Sequence, residues 1–275
     1  MTEAPPLRVT YLLEQTDQTD AVHLALAQAD ALTDGGHEVR IVTAGLPVTW
    51  RPSRAEWVFV DDLRDYRASA GESLVTEEQI EGLGAIVDEE FFRERLPRDN
   101  DPLRVLLVGE SQDEAGGIRD GYGAAAHARW FHQTFELVRL SAWVPSREEP
   151  LDAVQEFHVG LATTERRRLM HSCDLLIAAD LREEGFRLHV AEALAAGLPC
   201  VLSGTAPHRS FDASADYALF AREGNAVELG EKLLELLASG AVRDRMRQRG
   251  REVAGRWHAA EVLGRLETFF RGEDR

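Results

Sequence analysis

The chain has 275 residues, 48 acidic side chains against 31 basic ones, and a formal net charge of −17. That balance argues against nucleic acid as the main partner, because counterion release needs a basic face, and against a basic membrane-binding surface. The N-terminal stretch lacks the basic and apolar regions of a signal peptide, no apolar run nears the roughly 20 residues of a membrane helix, and Cys173 and Cys200 make neither a disulfide framework nor a zinc pattern, so a cytoplasmic location is expected.

In chain order, short apolar runs alternate with helical patterns. Leu7–Leu13 reads as a buried strand. Ala21–Leu32 has apolar residues at helical spacing, with Asp20 as its expected N-cap and Gly35-Gly36 as its stop. Val39–Thr43 is the next strand, which makes a strand–helix–strand unit and implies a parallel sheet with a right-handed crossover. Trp57–Val60 is a third strand, and residues 61–82 read as polar and irregular, with a helix from about Thr76. The charged stretch Arg93–Pro102 carries two prolines and no apolar period, and marks a domain boundary. Beyond it, Arg104–Val108, Phe135–Leu140, Leu175–Ala178, Cys200–Ser203 and Tyr217–Phe220 read as strands, and Tyr122–His132, Thr164–Ser172 and Leu188–Ala196 as helices. The tail is helical from Ala226 to Arg271, with breaks near Gly240 and Gly255. The class is α/β, with two doubly wound halves divided as 1–98 and 99–255 and a last helix in 256–275.

The most informative segment is Glu184–Gly204, EGFRLHVAEALAAGLPCVLSG. A Gly-Phe turn opens a helix at Leu188, and a helix N-terminus offers amide donors and partial positive charge suited to a phosphate. Glu184 precedes the turn and Glu192 follows eight residues later, so two carboxylates flank that anion site. The periodicity alone also fits an ordinary strand–helix–strand unit whose two glutamates are solvated.

The segment resembles the E-x7-E signature of retaining GT-B glycosyltransferases of family 4, written EGFGLPxxEAMAxGxPVV. Glu184 and Glu192 hold its two glutamate positions, and Ala193, Gly197 and Pro199 also match. Residues 156–178 and 217–254 resemble the stretches on either side of it, residues 7–43 its first strand–helix–strand with the GGHEV turn, and Ile86–Phe91 its interdomain connector. The resemblance implies a GT-B-like fold of two Rossmann-like domains facing across a cleft, the first one truncated, with the last helix crossing back to the first domain. It implies transfer of a sugar from a nucleotide-sugar with retention, without metal or other cofactor. Glu184 would contact the donor sugar as the catalytic residue, Glu192 the nucleotide ribose, and the amides around Gly185, Phe186, Arg187 and Leu188 the sugar and phosphates.

The sequence departs from that pattern in four places. After Arg104–Gly109 the chain reads ESQDEAGGIRDG, acidic where the family grips phosphate with Arg and Lys, and it offers only Arg119. Arg187 stands where a glycine is usual and His189 where a proline is; Arg187 either supplies the missing positive charge or fills the sugar pocket. The usual glycine-rich loop is replaced by Glu14–Asp20, and the first domain is short. Arg119 and Arg187 are therefore the phosphate candidates. The alternative is a catalytically degenerate relative acting as a nucleotide-sugar-binding or partner subunit, paired with a second copy or an active glycosyltransferase. A nucleotide-sugar epimerase lacks a convincing acid/base set, and a dinucleotide-dependent oxidoreductase lacks GxGxxG after either first strand.

Other residues read as structural. His23 is expected as a surface or capping residue of the first helix; His127, His132, His158 and His171 show no metal spacing; Asp17, Asp20 and Asp61-Asp62 are expected in solvated loops. Arg166–Arg168 reads as a solvated helix face, the five tryptophans as core or domain-interface residues, and Cys200 as a buried strand residue.

Overall fold

The computed structural model describes residues 4–16, 19–46, 48, 50–80, 82–94, 102–112, 114–131 and 134–273. Its elements in chain order are β1 (Arg8–Leu13), α1 (Asp20–Asp34), β2 (Glu38–Thr43), β3 (Glu56–Phe59), β4 (Ser73–Thr76), α2 (Glu77–Ile80), β5 (Leu103–Val108), α3 (Ile118–Trp130), β6 (Phe135–Ser141), β7 (Glu156–Val159), α4 (Thr163–Ser172), β8 (Leu175–Ala178), α5 (Leu188–Ala195), β9 (Cys200–Ser203), α6 (Ala206–Arg209), β10 (Leu219–Ala221), α7 (Ala226–Ala238), α8 (Gly240–Ala254) and α9 (Ala259–Arg271). They form two compact units: Met1–Asp88 with Arg256–Arg275, and Glu89–Gly255. The division falls before residue 98 because Phe91 is fully buried, Glu90 pairs with Arg167 of α4, and the Phe91 carbonyl lies 3.3 Å from His171 Nε2. The proline-bearing stretch that marked the expected boundary lies mostly outside the described residues.

The first unit is a four-stranded parallel sheet in the order β3-β2-β1-β4. Helix α1 is buried continuously from Val22 to Leu32. A helix enclosed all round needs its polar groups answered from within. Gln28 Nε2 donates to the carbonyls of Ile80 and Gly84 at 2.9 and 2.7 Å, and Asp30 Oδ1 accepts from Ser53 Oγ and the Arg54 amide, both at 2.7 Å. The α1 N-cap is Thr19, whose side chain accepts from the Val22 amide, and not Asp20, which is the first helical residue. His23 is buried against Trp50 at 4.3 Å between ring centroids, so it is a core residue and not a surface one. Helix α9 packs on α1, with Glu267 Oε1 2.9 Å from His37 Nε2 and Val262 fully buried.

Strand β4 lies inside the stretch read as irregular. It pairs in parallel with β1, and the preceding Glu72 accepts from Thr10 of β1 and, locally, from Tyr66 at 2.7 Å. The helix expected after it is the single turn α2. Asp62 caps the short helix Leu63–Asp65, and its hydrogen bonds from Arg64 hold its carboxyl down at about 2.

The second unit is a six-stranded parallel sheet in the order β10-β9-β8-β5-β6-β7. Strands β8 and β9 are buried at every residue, as continuous apolar runs in a sheet covered on both faces should be. Helix α3 starts at Ile118, four residues before the expected Tyr122, and packs on α7. The solvated-face reading of Arg166–Arg168 is corrected: Arg166 grips Glu192 and Arg167 pairs with Glu90. Two tryptophans are also not core, Trp130 being 80% and Trp143 48% exposed. His158 lies in β7, Cys200 is fully buried, and His132 and Asp17 lie outside the described residues. Among the described residues no helix is long and apolar enough to cross a membrane, and no group of three His, Cys, Asp or Glu is placed to hold a metal.

Candidate functional site

In an open parallel sheet, ligands bind beyond the strand C-termini where the winding direction reverses. Here that point lies between β5 and β8, since β6 and β7 extend the sheet one way and β9 and β10 the other. The two loops that leave it are packed backbone to backbone. The Leu181 amide donates to the Ala115 carbonyl at 2.7 Å. Gly117, the α3 N-cap at φ +64°, sits so close to the β8 loop that an added Cβ would stand 1.7 Å from the Ala179 carbonyl oxygen. No side chain fits there, and the left-handed φ also favours glycine.

The loop after β5 is acidic for a structural reason. Glu110 reaches the end of β6, where Oε2 accepts from Ser141 Oγ at 2.9 Å and Oε1 from the Ala142 amide at 3.0 Å. Beside it, at the first turns of α3, a cavity of about 460 Å³ is lined by Ser111, Gln112, Arg119, Tyr122, Ser146 and Glu149 among others. Beneath it lies a buried triad that the sequence reading missed. Arg139, fully buried in β6, donates from Nε to Glu149 Oε1 at 2.6 Å, and Tyr122 donates its hydroxyl to the same oxygen at 2.8 Å. Burial draws the Glu149 pKa upward, but the hydrogen bond and charge of Arg139 outweigh it and the carboxyl sits below its ordinary range. The signal was an arginine in an otherwise apolar strand, FELVRLS, which has to find a carboxylate if it is buried.

Glu184, Gly185, Phe186, Arg187, Leu188 and Glu192 all lie on the β8–α5 loop and on α5 itself. Glu184 is exposed, and Gly185 takes φ +89°, which the turn requires. Phe186 packs edge-on against Phe211 at 5.4 Å between ring centroids. Leu188 begins α5 with its side chain in the core, and the N-cap residue Arg187 makes no side-chain hydrogen bond to the first turn. Glu192 is 3% exposed in α5; Arg166 of α4 forks onto it, Nε to Oε2 at 2.7 Å and Nη2 to Oε1 at 2.6 Å.

The two arginines expected at phosphate are placed differently from each other. Arg119 is exposed on α3, 3.4 Å from Glu148 and 3.9 Å from Glu114, and lines the cavity there. The Arg187 guanidinium is turned into its own loop, donating from Nη1 to the carbonyls of Glu184 and Gly185 at 2.8 and 3.0 Å and from Nη2 to that of Arg182 at 2.7 Å. Its Nε lies 3.4 Å from Oδ2 of the buried Asp180. Behind the loop, burial pushes the pKa of His189 down to about 3 and that of His208 down to about 4. Both are therefore neutral imidazoles near neutral pH, and His208 holds its Nδ1 2.9 Å from the Ser203 carbonyl.

Residues 145–253 match the family model described as glycosyl transferases group 1. No curated protein matches the chain significantly. Among solved structures, a glycosyltransferase from Rickettsia africae ESF-5 superposes with a TM-score of 0.74 at 8% identity, covering 98% of this chain and 99% of that one. WaaG, a glycosyltransferase involved in lipopolysaccharide biosynthesis, gives 0.68 at 13% identity, covering 96% of this chain and 100% of its own. HepE of Anabaena, solved in complex with UDP-glucose, gives 0.67 at 10% identity, covering 97% of this chain and 100% of its own. The chain thus has the α/β fold of GT-B glycosyltransferases, with two parallel-sheet Rossmann-like units, and its second unit carries the glycosyl transferases group 1 pattern.

Proposed function

We propose that the protein is a glycosyltransferase that moves a sugar from a nucleotide-sugar donor, with retention of configuration and without a metal. The observation that carries the reading is the pair Glu184 and Glu192, set on the loop before α5 and within α5, at the switch point of the sheet and inside the segment that matches the family model. The exposed Glu184 carboxylate would accept hydrogen bonds from donor-sugar hydroxyls. Glu192 would accept from ribose hydroxyls; a carboxylate has about four lone-pair sites, and the Arg166 fork takes two of them. Departure of a nucleoside diphosphate from an oxocarbenium-like transition state builds negative charge, and the partial positive charge at the α5 N-terminus with the loop before it would stabilise it electrostatically. HepE, solved with UDP-glucose, supports a donor of this class.

The test is proton NMR of the purified chain with UDP-, GDP-, ADP- and dTDP-glucose, in the presence of EDTA and with water as the default acceptor. Release of one nucleoside diphosphate, the sugar appearing first in the donor's own anomeric configuration and the rate lost in Glu184→Gln, is the expected result. An opposite first anomer would remove retention, loss of the rate in EDTA would remove metal independence, and no turnover of any sugar donor would favour a non-catalytic binding role.

A further inference from the structure

The geometry points to Arg187 as a positioning residue. Its guanidinium locks the loop 182–187 from inside, sets the direction of the amides that follow Glu184, and acts on the transfer through that loop and not as a ligand of the donor phosphates. This rests on the transferase reading above.

The side chain is in the wrong state to greet an anion. It is 5% exposed, three of its N–H groups are already donated to carbonyls at 2.7–3.0 Å, and Asp180, itself 3% exposed, stands 3.4 Å from its Nε. Asp180 is in turn fixed by the Arg182 amide and guanidinium, each at 2.8 Å. The strut therefore runs from the end of β8 through Asp180 and Arg187 to the carbonyls of 182, 184 and 185.

The consequence lies in the peptide planes. In a trans peptide the N–H points opposite to the C=O. Because the Glu184 and Gly185 carbonyls are drawn inward onto Arg187, the N–H groups of Gly185 and Phe186 face the other way, away from the guanidinium. Two successive peptide planes are thereby fixed from one side, with Gly185 in the left-handed region and the exposed Glu184 beside them. A glycine at 187 would leave those planes to find their orientation only when a ligand arrived, whereas the guanidinium fixes them beforehand, which favours rate over mere binding.

The experiment compares wild type, Arg187→Lys and Arg187→Gly, the last with and without guanidinium ion at a sub-denaturing concentration. Amide hydrogen exchange of residues 182–187, measured with no substrate present, is expected to rise by about tenfold or more in both variants while β8 keeps its protection. Guanidinium is expected to restore protection in Arg187→Gly. With the nucleotide-sugar donor, kcat is expected to fall by about tenfold or more with KM changed by less than about threefold, and guanidinium to return part of the rate. Wild-type exchange in both variants overturns the proposal. So does the pattern of a phosphate ligand: nucleoside diphosphate affinity lost in Arg187→Gly, kept in Arg187→Lys, and the loop unmoved. If wild type turns over no nucleotide-sugar the transferase reading falls, and the exchange arm still decides whether Arg187 holds the loop.

Discussion

The Arg166–Glu192 pair joins α4 to α5 through two hydrogen bonds of 2.7 and 2.6 Å, with the two side chains only 11% and 4% exposed. Coulomb attraction at that depth roughly offsets the desolvation of both ions, so the pair as a whole adds little to stability. Removing one partner is different, because the other charge is left in place without its counterion. Arg166→Leu and Glu192→Leu are each expected to cost about 3–5 kcal/mol, and the double variant to recover to within about 1 kcal/mol of wild type. With a urea m-value of about 2 kcal/mol/M, each single variant moves the unfolding midpoint down by about 1.5–2.5 M. The assay is urea denaturation followed by far-UV circular dichroism, run as a double-mutant cycle. Single variants that cost less than about 1 kcal/mol, as exposed pairs do, would refute the reasoning, and so would a double variant as unstable as the sum of the singles.

His208 is neutral in the fold, its pKa lowered by burial from 6.5 to about 4, while the unfolded chain takes up the proton. Its contribution is therefore complete above pH 6.5 and is lost as the pH falls towards 4, by about 3 kcal/mol in all; His208→Asn should flatten the stability slope across that window in pH-dependent urea titrations. Gly117→Ala puts a Cβ against the Ala179 carbonyl at a left-handed φ, and should cost about 3 kcal/mol or more or yield no folded second unit, as read by denaturation. Asp30→Ala removes the acceptor for Ser53 Oγ and the Arg54 amide and leaves Arg51, 3.6 Å away, without that charge; a loss of about 2–3 kcal/mol is expected in the same assay.

What could be read from the sequence was whatever the chain writes locally. RVLLV, LLIA and CVLS are apolar on both faces because their strands are covered on both faces, and the loop-plus-helix at Glu184–Glu192 keeps its spacing whatever surrounds it. What escaped depends on partners remote in sequence. Strand β4 is only four residues long within a polar stretch, and the strand it pairs with, β1, is 64 residues away in the chain. Arg166 and Arg167 looked like a solvated run because the carboxylates they meet, Glu192 and Glu90, are 26 and 77 residues off. Arg187 was visible as a charge at a turn, but a formal charge does not say which way a guanidinium points; its direction is set by Asp180 and by carbonyls within its own loop. His23 sits on a helix that is buried all round, so it packs in the core where a surface or capping place was expected.

The most direct measurement is calorimetric titration of the purified chain with UDP, GDP, ADP and dTDP, with Glu192→Gln as the control, because that change keeps the shape of the side chain beneath Arg166 while removing its charge. Micromolar binding of one nucleotide is expected, at least about tenfold weaker in Glu192→Gln under conditions where circular dichroism shows that variant still fully folded. Absence of binding by any of the four, or binding untouched by Glu192→Gln, would contradict a donor site at the β8–α5 loop.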